Sequence, residues 1–270
     1  AFDSSTVSSY SRYIKETRQG FNKAGDGLDT VKLLTLFDLA THQPIAFARE
    51  PGNLADVSGI ENALKQFSFL NISKAQIVTD KGYYSQNNIG QMLRKHIKFL
   101  TAASIDLSWV NHHLQKNKSG LETASSLCPW DFNIHGITVP VDAEFTYQRQ
   151  RNRGEAAKGD ILSETRRLYL HLYLNRERVG EDEKRLATDL MSLKSDLEKG
   201  LWDELSESAQ KKAEKYLSTS RLGRGGKLKV TINEEAYAQA RKDYGYFALV
   251  SNKAEDCFEA LRKYRLREKI

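Results

Sequence analysis

Two aspartates stand where chemistry is most easily built. Asp3 lies on the first run of strand-forming residues. Asp80 ends the short apolar run from Ala75 to Thr79, immediately before the turn Lys81-Gly82-Tyr83-Tyr84. Acids at strand ends beside a turn are where metal ions and substrates gather in mixed sheets. Taken singly, each has a plainer reading. A strand aspartate guards an edge against unwanted pairing, and an aspartate before glycine is turn chemistry. Taken together they say more. If the first and fourth strands lie side by side, the two carboxylates face one another at about 4–6 Å and need a cation to offset their repulsion. Hard oxygen ligands suit Mg²⁺ or Mn²⁺. Two such ions about 3.5–4 Å apart are the arrangement that cuts and joins phosphodiesters.

Other site chemistries find little support. Cys128 and Cys257 are the two cysteines, which excludes a disulfide scaffold and any CxxC zinc or redox motif. His112 and His113 are adjacent, so their side chains diverge on a helix or strand, and no HxxxH spacing supports zinc. Gly223-Arg224-Gly225-Gly226-Lys227 lacks the spacing and the Ser/Thr of a phosphate-binding loop. It reads as a basic loop. No apolar run approaches the ~18 residues that span a bilayer.

The 270 residues carry 41 Lys and Arg against 35 Asp and Glu, a formal charge of +6. A polyanion partner is permitted by this and not required. Placement is more telling than the sum. Basic residues cluster at 147–153, at 221–229 and at 262–269, a pattern suited to phosphate-backbone contacts if the fold gathers them on one side. The chain opens on Ala1 with strand already under way and shows no targeting segment, as expected of a piece of a longer protein.

These residues must be positioned by a mixed α/β scaffold. Asp3 to Ser9, Val31 to Leu39 and Ile45 to Arg49 read as a three-stranded meander, closed by Pro51-Gly52-Asn53. Val57, Ile60, Ala63, Leu64 and Phe67 fall at helical spacing over 56–67. Ala75 to Thr79 is a buried-type strand. Ser85 is a good N-cap for a helix that sets Ile89, Met92, Leu93 and His96 on one face. Ile97 to Ala102 is the next strand. The order gives an antiparallel start and a crossover finish.

Residues 104–135 read as polar and irregular. Thr138 to Tyr147 and Arg166 to Leu174 read as paired strands. Arg178 to Lys199 is helical, with Leu186, Leu190, Leu193 and Leu197 on one side, and Gly200 stops it. Trp202 to Leu217 is expected as a second helix of an αα-hairpin, with Trp202 in its core. Lys227 to Ile232 is a strand, Glu234 to Asp243 a helix and Tyr246 to Ser251 a strand. Ala254 to Ile270 is helical. The α/β core thus falls in two pieces, 1–103 and 244–270, around an insertion over 104–243.

Several strings together resemble one family. Asp80-Lys81-Gly82-Tyr83-Tyr84-Ser85 is similar to the Asp-x-Gly-Tyr/Phe-x-Ser signature around the second acid of DDE transposases from bacterial insertion sequences, in the group named for insertion sequence 4. Asp3-Ser4-Ser5-Thr6 resembles the first-acid strand, and Gly52-Asn53 with Asp56 the Gly-Asn-x-x-Asp stretch between. Residues Tyr246 to Asn252 resemble the strand that re-enters the core. Tyr264 and Arg267 fit the start of a Tyr-x2-Arg-x3-Glu-x6-Lys signature on the last core helix.

The resemblance implies an RNase H-like mixed sheet with flanking helices, interrupted by a large insertion of strands and helices. It implies metal-dependent cleavage of double-stranded DNA at transposon ends and strand transfer into a target. Two Mg²⁺ or Mn²⁺ ions would be held by Asp3 and Asp80. Arg267 would clamp a backbone phosphate. Tyr264 would touch the DNA or pack in the core, with Arg224 and Lys227 as further DNA contacts. Trp109 and Trp130 are candidates for holding a flipped base, with core packing the preferred reading of each. A homodimer is expected in the active complex, in a bacterial cytoplasm at the nucleoid and away from membranes.

The signature glutamate falls one position past Ile270, and Glu268, three places early, reads as a solvated helix residue. As supplied, the fragment is expected to hold two of three metal-binding carboxylates and to be inactive alone. The competing readings are a catalytically inactive DNA-binding remnant of the same fold and an RNase H-like nuclease without transposition.

Overall fold

Runs of β-branched and apolar residues at Val31–Leu39 and Ile45–Ala48 favour strand, and a computed structural model shows how they are used. The structure describes residues 1–11, 13–20, 22, 25–55, 60, 75–148, 161–221 and 228–267. Strands β1 (Phe2–Ser8), β2 (Thr30–Asp38) and β3 (Gln43–Pro51) form an antiparallel sheet in that order. The register sets Asp3 opposite Thr35 and Phe2 opposite Leu36. Alternation turns Phe2, Leu34 and Leu36 inward, where all three are buried. Two glycines let the end of β3 close against its neighbours. A Cβ on Gly52 would fall 2.0 Å from the Thr30 carbonyl oxygen, and one on Gly20 would fall 2.2 Å from the Gly52 carbonyl oxygen.

The helix expected over 56–67 lies almost wholly outside the described residues. Ile60 is described and fully buried. Next comes β4 (Gln76–Thr79), a 3₁₀ turn (Lys81–Tyr83), α1 (Gln86–Arg94) and β5 (Lys98–Ala103). Strands β4 and β5 pair in parallel through this right-sized crossover. Ser85 caps α1 by accepting from the Asn88 amide. The helix stops two residues short of His96, the last position its apolar spacing predicts. His96 has φ 53°, a left-handed conformation, and is exposed instead of lining the helix face.

The segment expected to be irregular contains a helix, α2 (Ser108–Leu121). Val110, Leu114 and Leu121 are its buried positions, spaced by four and seven. Its polar majority hides that narrow stripe from a composition reading. A two-residue strand β6 (Leu127–Cys128) and long strands β7 (Asp131–Gln148) and β8 (Ile161–Asn175) follow. A six-stranded sheet has the order β4-β5-β11-β8-β7-β6, where β11 (Tyr246–Ser251) pairs antiparallel to β5. The last helix, α6 (Cys257–Leu266), packs on β4 and β5.

The chain divides into two compact units, one of Ala1–Cys128, Gly136–Tyr173 and Phe247–Ile270, the other of Pro129–His135 and Leu174–Tyr246. The second unit holds α3 (Arg176–Glu198), a 3₁₀ turn (Trp202–Glu204), α4 (Glu207–Tyr216), the hairpin β9 (Leu217–Arg221) with β10 (Leu228–Ile232), and α5 (Glu234–Arg241). The four leucines of α3 pack with Ala213, Tyr216, Leu217 and Val230.

Three expectations are corrected here. The helix predicted over Trp202 to Leu217 is a separate 3₁₀ turn, then α4 capped by Ser206, and Leu217 already belongs to β9. Trp202, expected in a core, is 37% exposed because it sits in that turn and not on the buried stripe of α4. Trp130 is likewise exposed, at 39%, in the tight turn before β7.

Candidate active site

The site begins with the strand ends. Strand β1 lies beside β4, although the two belong to different hydrogen-bonded sheets. The residues flanking the acids explain the approach. Phe2, next to Asp3, packs edge-on against Tyr83 with ring centroids 5.1 Å apart, and both are 2% exposed. That contact ties β1 to the turn after Asp80. Asn88 holds the same turn from α1, donating to the Tyr83 carbonyl at 2.9 Å. Beneath it, Thr79 and Thr101 join hydroxyls at 2.8 Å, so two buried polar side chains of β4 and β5 satisfy one another.

Asp80 serves the turn and the site together. Its Oδ1 accepts the Lys81 amide at 2.7 Å, which caps the 3₁₀ turn, and the Tyr264 hydroxyl at 2.9 Å. Asp3 Oδ1 accepts the Ser4 amide at 2.9 Å. Arg267 then spans the pair. Its Nη1 lies 3.6 Å from Asp3 Oδ2, and its Nη2 lies 3.5 Å from Asp80 Oδ1 and donates to the Tyr264 hydroxyl at 3.2 Å. The guanidinium also sits 5.0 Å from the Tyr264 ring centroid.

Helix geometry delivers these groups. Asp256 caps α6 by accepting the Phe258 and Glu259 amides. Cys257, Ala260 and Leu261 are buried, so the same face continues to Tyr264 and on to Arg267. Tyr173 fixes the start of the helix: its hydroxyl donates to the Cys257 carbonyl at 2.6 Å, and its ring stacks on Phe247 at 4.7 Å.

Burial and charge set the electrostatics. Burial, and then the charge of Asp80, push the Tyr264 hydroxyl well above its ordinary value, so it stays a donor. Burial opposes the charge on Arg267, but Tyr264, Asp80 and Asp3 outweigh it and hold the guanidinium protonated. Arg267 is 13% exposed, whereas the two carboxylates are 46% and 48% exposed. Arg267 Nε is buried without a hydrogen-bond partner among the described residues.

Whether a metal ion suits this place can be judged from the donors. Both are carboxylates, hard oxygen ligands that share one monovalent partner and keep nearly half their surface open. That set fits Mg²⁺ or Mn²⁺. Among the described residues no group of three or more His, Cys, Asp or Glu converges.

Sequence reasoning missed Glu255. Its side chain is 1% exposed and accepts from Gln76 at 2.9 Å and from Ser251 at 3.3 Å, and it pairs with Lys263. It thereby ties α6, one residue from Tyr264, to the strand that carries Asp80. Nothing local marks it, because Gln76 is 179 residues away in the chain. Trp109, half-buried, donates its indole N–H to the Tyr84 hydroxyl at 3.1 Å. Arg224, Lys227, Asp56, Glu268 and the basic run at 149–153 lie outside the described residues.

A carboxylate pair beside two strands of a mixed α/β scaffold is thus bridged by an arginine at the end of the last helix. Residues 1–179 match the family described as Transposase DDE domain, and the chain belongs to that family. The match includes Asp3 and Asp80, while Tyr264 and Arg267 lie beyond it and join them through the fold. No curated protein matches the chain. Membership brings transposition, a DNA substrate and a general dependence on divalent metal. No helix among the described residues is long and apolar enough to cross a membrane.

Proposed function

We propose that the chain is the catalytic part of a transposase of the insertion sequence 4 group, cutting DNA strands at element ends and joining them to a target. Its frame would be an RNase H-like core, residues 1–103 and 244–270, interrupted by an insertion over 104–243. The observation that supports this most directly is the meeting of Asp3 and Asp80 on one guanidinium.

Asp3 and Asp80 would hold Mg²⁺ or Mn²⁺, two ions in the complete site. Bound there, such ions lower the pKa of an attacking water or 3′-hydroxyl and offset charge at the scissile phosphate. The chain's own residues prepare the place. The Tyr264 hydroxyl and the Lys81 amide engage Oδ1 of Asp80 and so fix the orientation of its other oxygen. The Ser4 amide does the same for Asp3. Arg267 supplies a planar fork suited to a DNA phosphate. Arg224 and Lys227 would add backbone contacts. A third carboxylate, at the position after Ile270 in the Tyr-x2-Arg-x3-Glu spacing, belongs to the same proposal, as does a homodimer in the active complex.

The test uses the full-length protein, a plasmid carrying the element's ends and Mn²⁺. Asp3→Asn and Asp80→Asn should each abolish cleavage and leave end binding within a few-fold of wild type. Cleavage near the wild-type rate in either variant would remove the assignment. A wild-type protein that binds ends and cuts nothing would instead be the inactive remnant.

A further inference from the structure

We propose that Arg267 is the resident counter-cation of the Asp3–Asp80 pair and competes with divalent metal for it, so that metal entry frees the guanidinium for a DNA phosphate. The inference rests on the reading of Asp3 and Asp80 as metal ligands.

The geometry carries it in three ways. First, Arg267 is divided between the acids. Its contacts of 3.6 and 3.5 Å to Asp3 and Asp80 exceed the ~2.7–2.9 Å of a charge-assisted hydrogen bond, and neither carboxylate receives the parallel two-bond fork that arginine makes where it is anchored. Its hydrogen bond at 3.2 Å goes to the Tyr264 hydroxyl, so its hold on the acids themselves is by charge and not by directed bonds. Second, its Nε is buried with no hydrogen-bond partner among the described residues, a cost that persists only where other forces hold the side chain in. Third, the acids are not consumed by it. Both hydrogen bonds described for the Asp80 carboxylate fall on Oδ1, and each acid keeps close to half its side-chain surface open.

A divalent ion between the carboxylates would bring twice the charge in a smaller volume and would repel the guanidinium. Arg267 is the C-cap residue just past the last turn of α6, so a change of its side-chain rotamer does not require the helix to unfold. Metal occupancy and phosphate capture would then be linked events. The acids are kept from repelling one another until metal arrives, and the phosphate clamp opens only afterwards.

The test measures Mn²⁺ binding without DNA, by the loss of the free-ion signal in electron paramagnetic resonance. The full-length protein is compared with Arg267→Gln, Arg267→Lys and Asp80→Asn. Removing the competitor should tighten Mn²⁺ binding by about tenfold in R267Q, within the range of ordinary coupling between sites, with R267K between it and wild type. Thermal melting supplies a second readout should R267Q fold less well. Its metal-free melting temperature should fall below wild type, and Mn²⁺ should raise it by more. Equal or weaker Mn²⁺ affinity in R267Q, with D80N binding abolished, would overturn the competition and leave the metal site standing. D80N that binds Mn²⁺ like wild type would overturn the site reading and, with it, the inference.

Discussion

Glu255 offers the sharpest test of how the candidate site is held. Its carboxylate is almost wholly buried, with Gln76 Nε2 at 2.9 Å, Ser251 Oγ at 3.3 Å, Lys253 Nζ at 4.0 Å and Lys263 in direct contact. Glu255→Gln keeps the shape and one acceptor oxygen and deletes the charge. Lys263 loses its counter-ion, but it is 33% exposed and can turn to water. The cost is therefore that of a charge-assisted hydrogen bond, about 2 kcal/mol. It falls below the roughly 3–5 kcal/mol of breaking a fully enclosed ion pair. For a chain of this size that corresponds to a fall of about 4–8 °C in melting temperature.

The effect has a direction in pH as well. Burial works to raise the Glu255 pKa. The hydrogen bonds from Lys263 and Gln76 and the charges of Lys263 and Lys253 outweigh it, so the net value lies below the ordinary 4.5. A depressed carboxylate contributes stability that is full above its ordinary value and is lost as the pH falls through its folded value. The gap between wild type and E255Q, read by circular dichroism melts, should be constant near neutrality and close below about pH 4.5. A gap under about 1 °C at pH 7, or one that widens on acidification, would refute the reasoning.

His171 is fully buried in β8, and burial pushes it down to about 4, with Glu255 and Asp256 only partly opposing. Because its folded value is below its ordinary 6.5, wild-type stability should fall by up to about 3 kcal/mol as the pH drops from about 6.5 to 4. His171→Gln should flatten that limb in denaturant titrations, and an unchanged slope would remove His171 as its source. Gly52→Ala would set a methyl 2.0 Å from the Thr30 carbonyl oxygen and 2.3 Å from its hydroxyl. It should cost about 1–3 kcal/mol or more in urea unfolding. Gly90→Ala, with nothing within 4 Å of its Cβ, should instead stabilise α1 by about 0.5–1 kcal/mol, and equal effects at the two glycines would defeat the argument.

Legibility in the sequence followed the range of the forces involved. The meander, β4, the Ser85 cap, β11 and the leucine face of α3 are written in alternation, capping and helical spacing, all of which act within a few residues. The helix α2 was missed because three buried positions among polar neighbours make a faint stripe. Strand β9 was missed because Leu217 to Arg221 is short and mostly small and polar, and it is strand through its pairing with β10. The candidate acids were found by type and by their place at strand ends, and the family by short strings around them. Glu255 looked like any other solvent-facing glutamate.

Sequence alone determined which residues could act. It placed Asp3 and Asp80 at strand ends and set Tyr264 and Arg267 on one face of a helix, because strand and helix periods are local properties of the backbone. Only the tertiary structure decided what those residues do to one another. Asp3 and Asp80 are brought together by Phe2 packing on Tyr83, and Arg267 lies within ion-pair distance of both acids. Such contacts join residues as much as 264 positions apart, and the charge and burial that settle them exist only once β1, β4 and α6 have met.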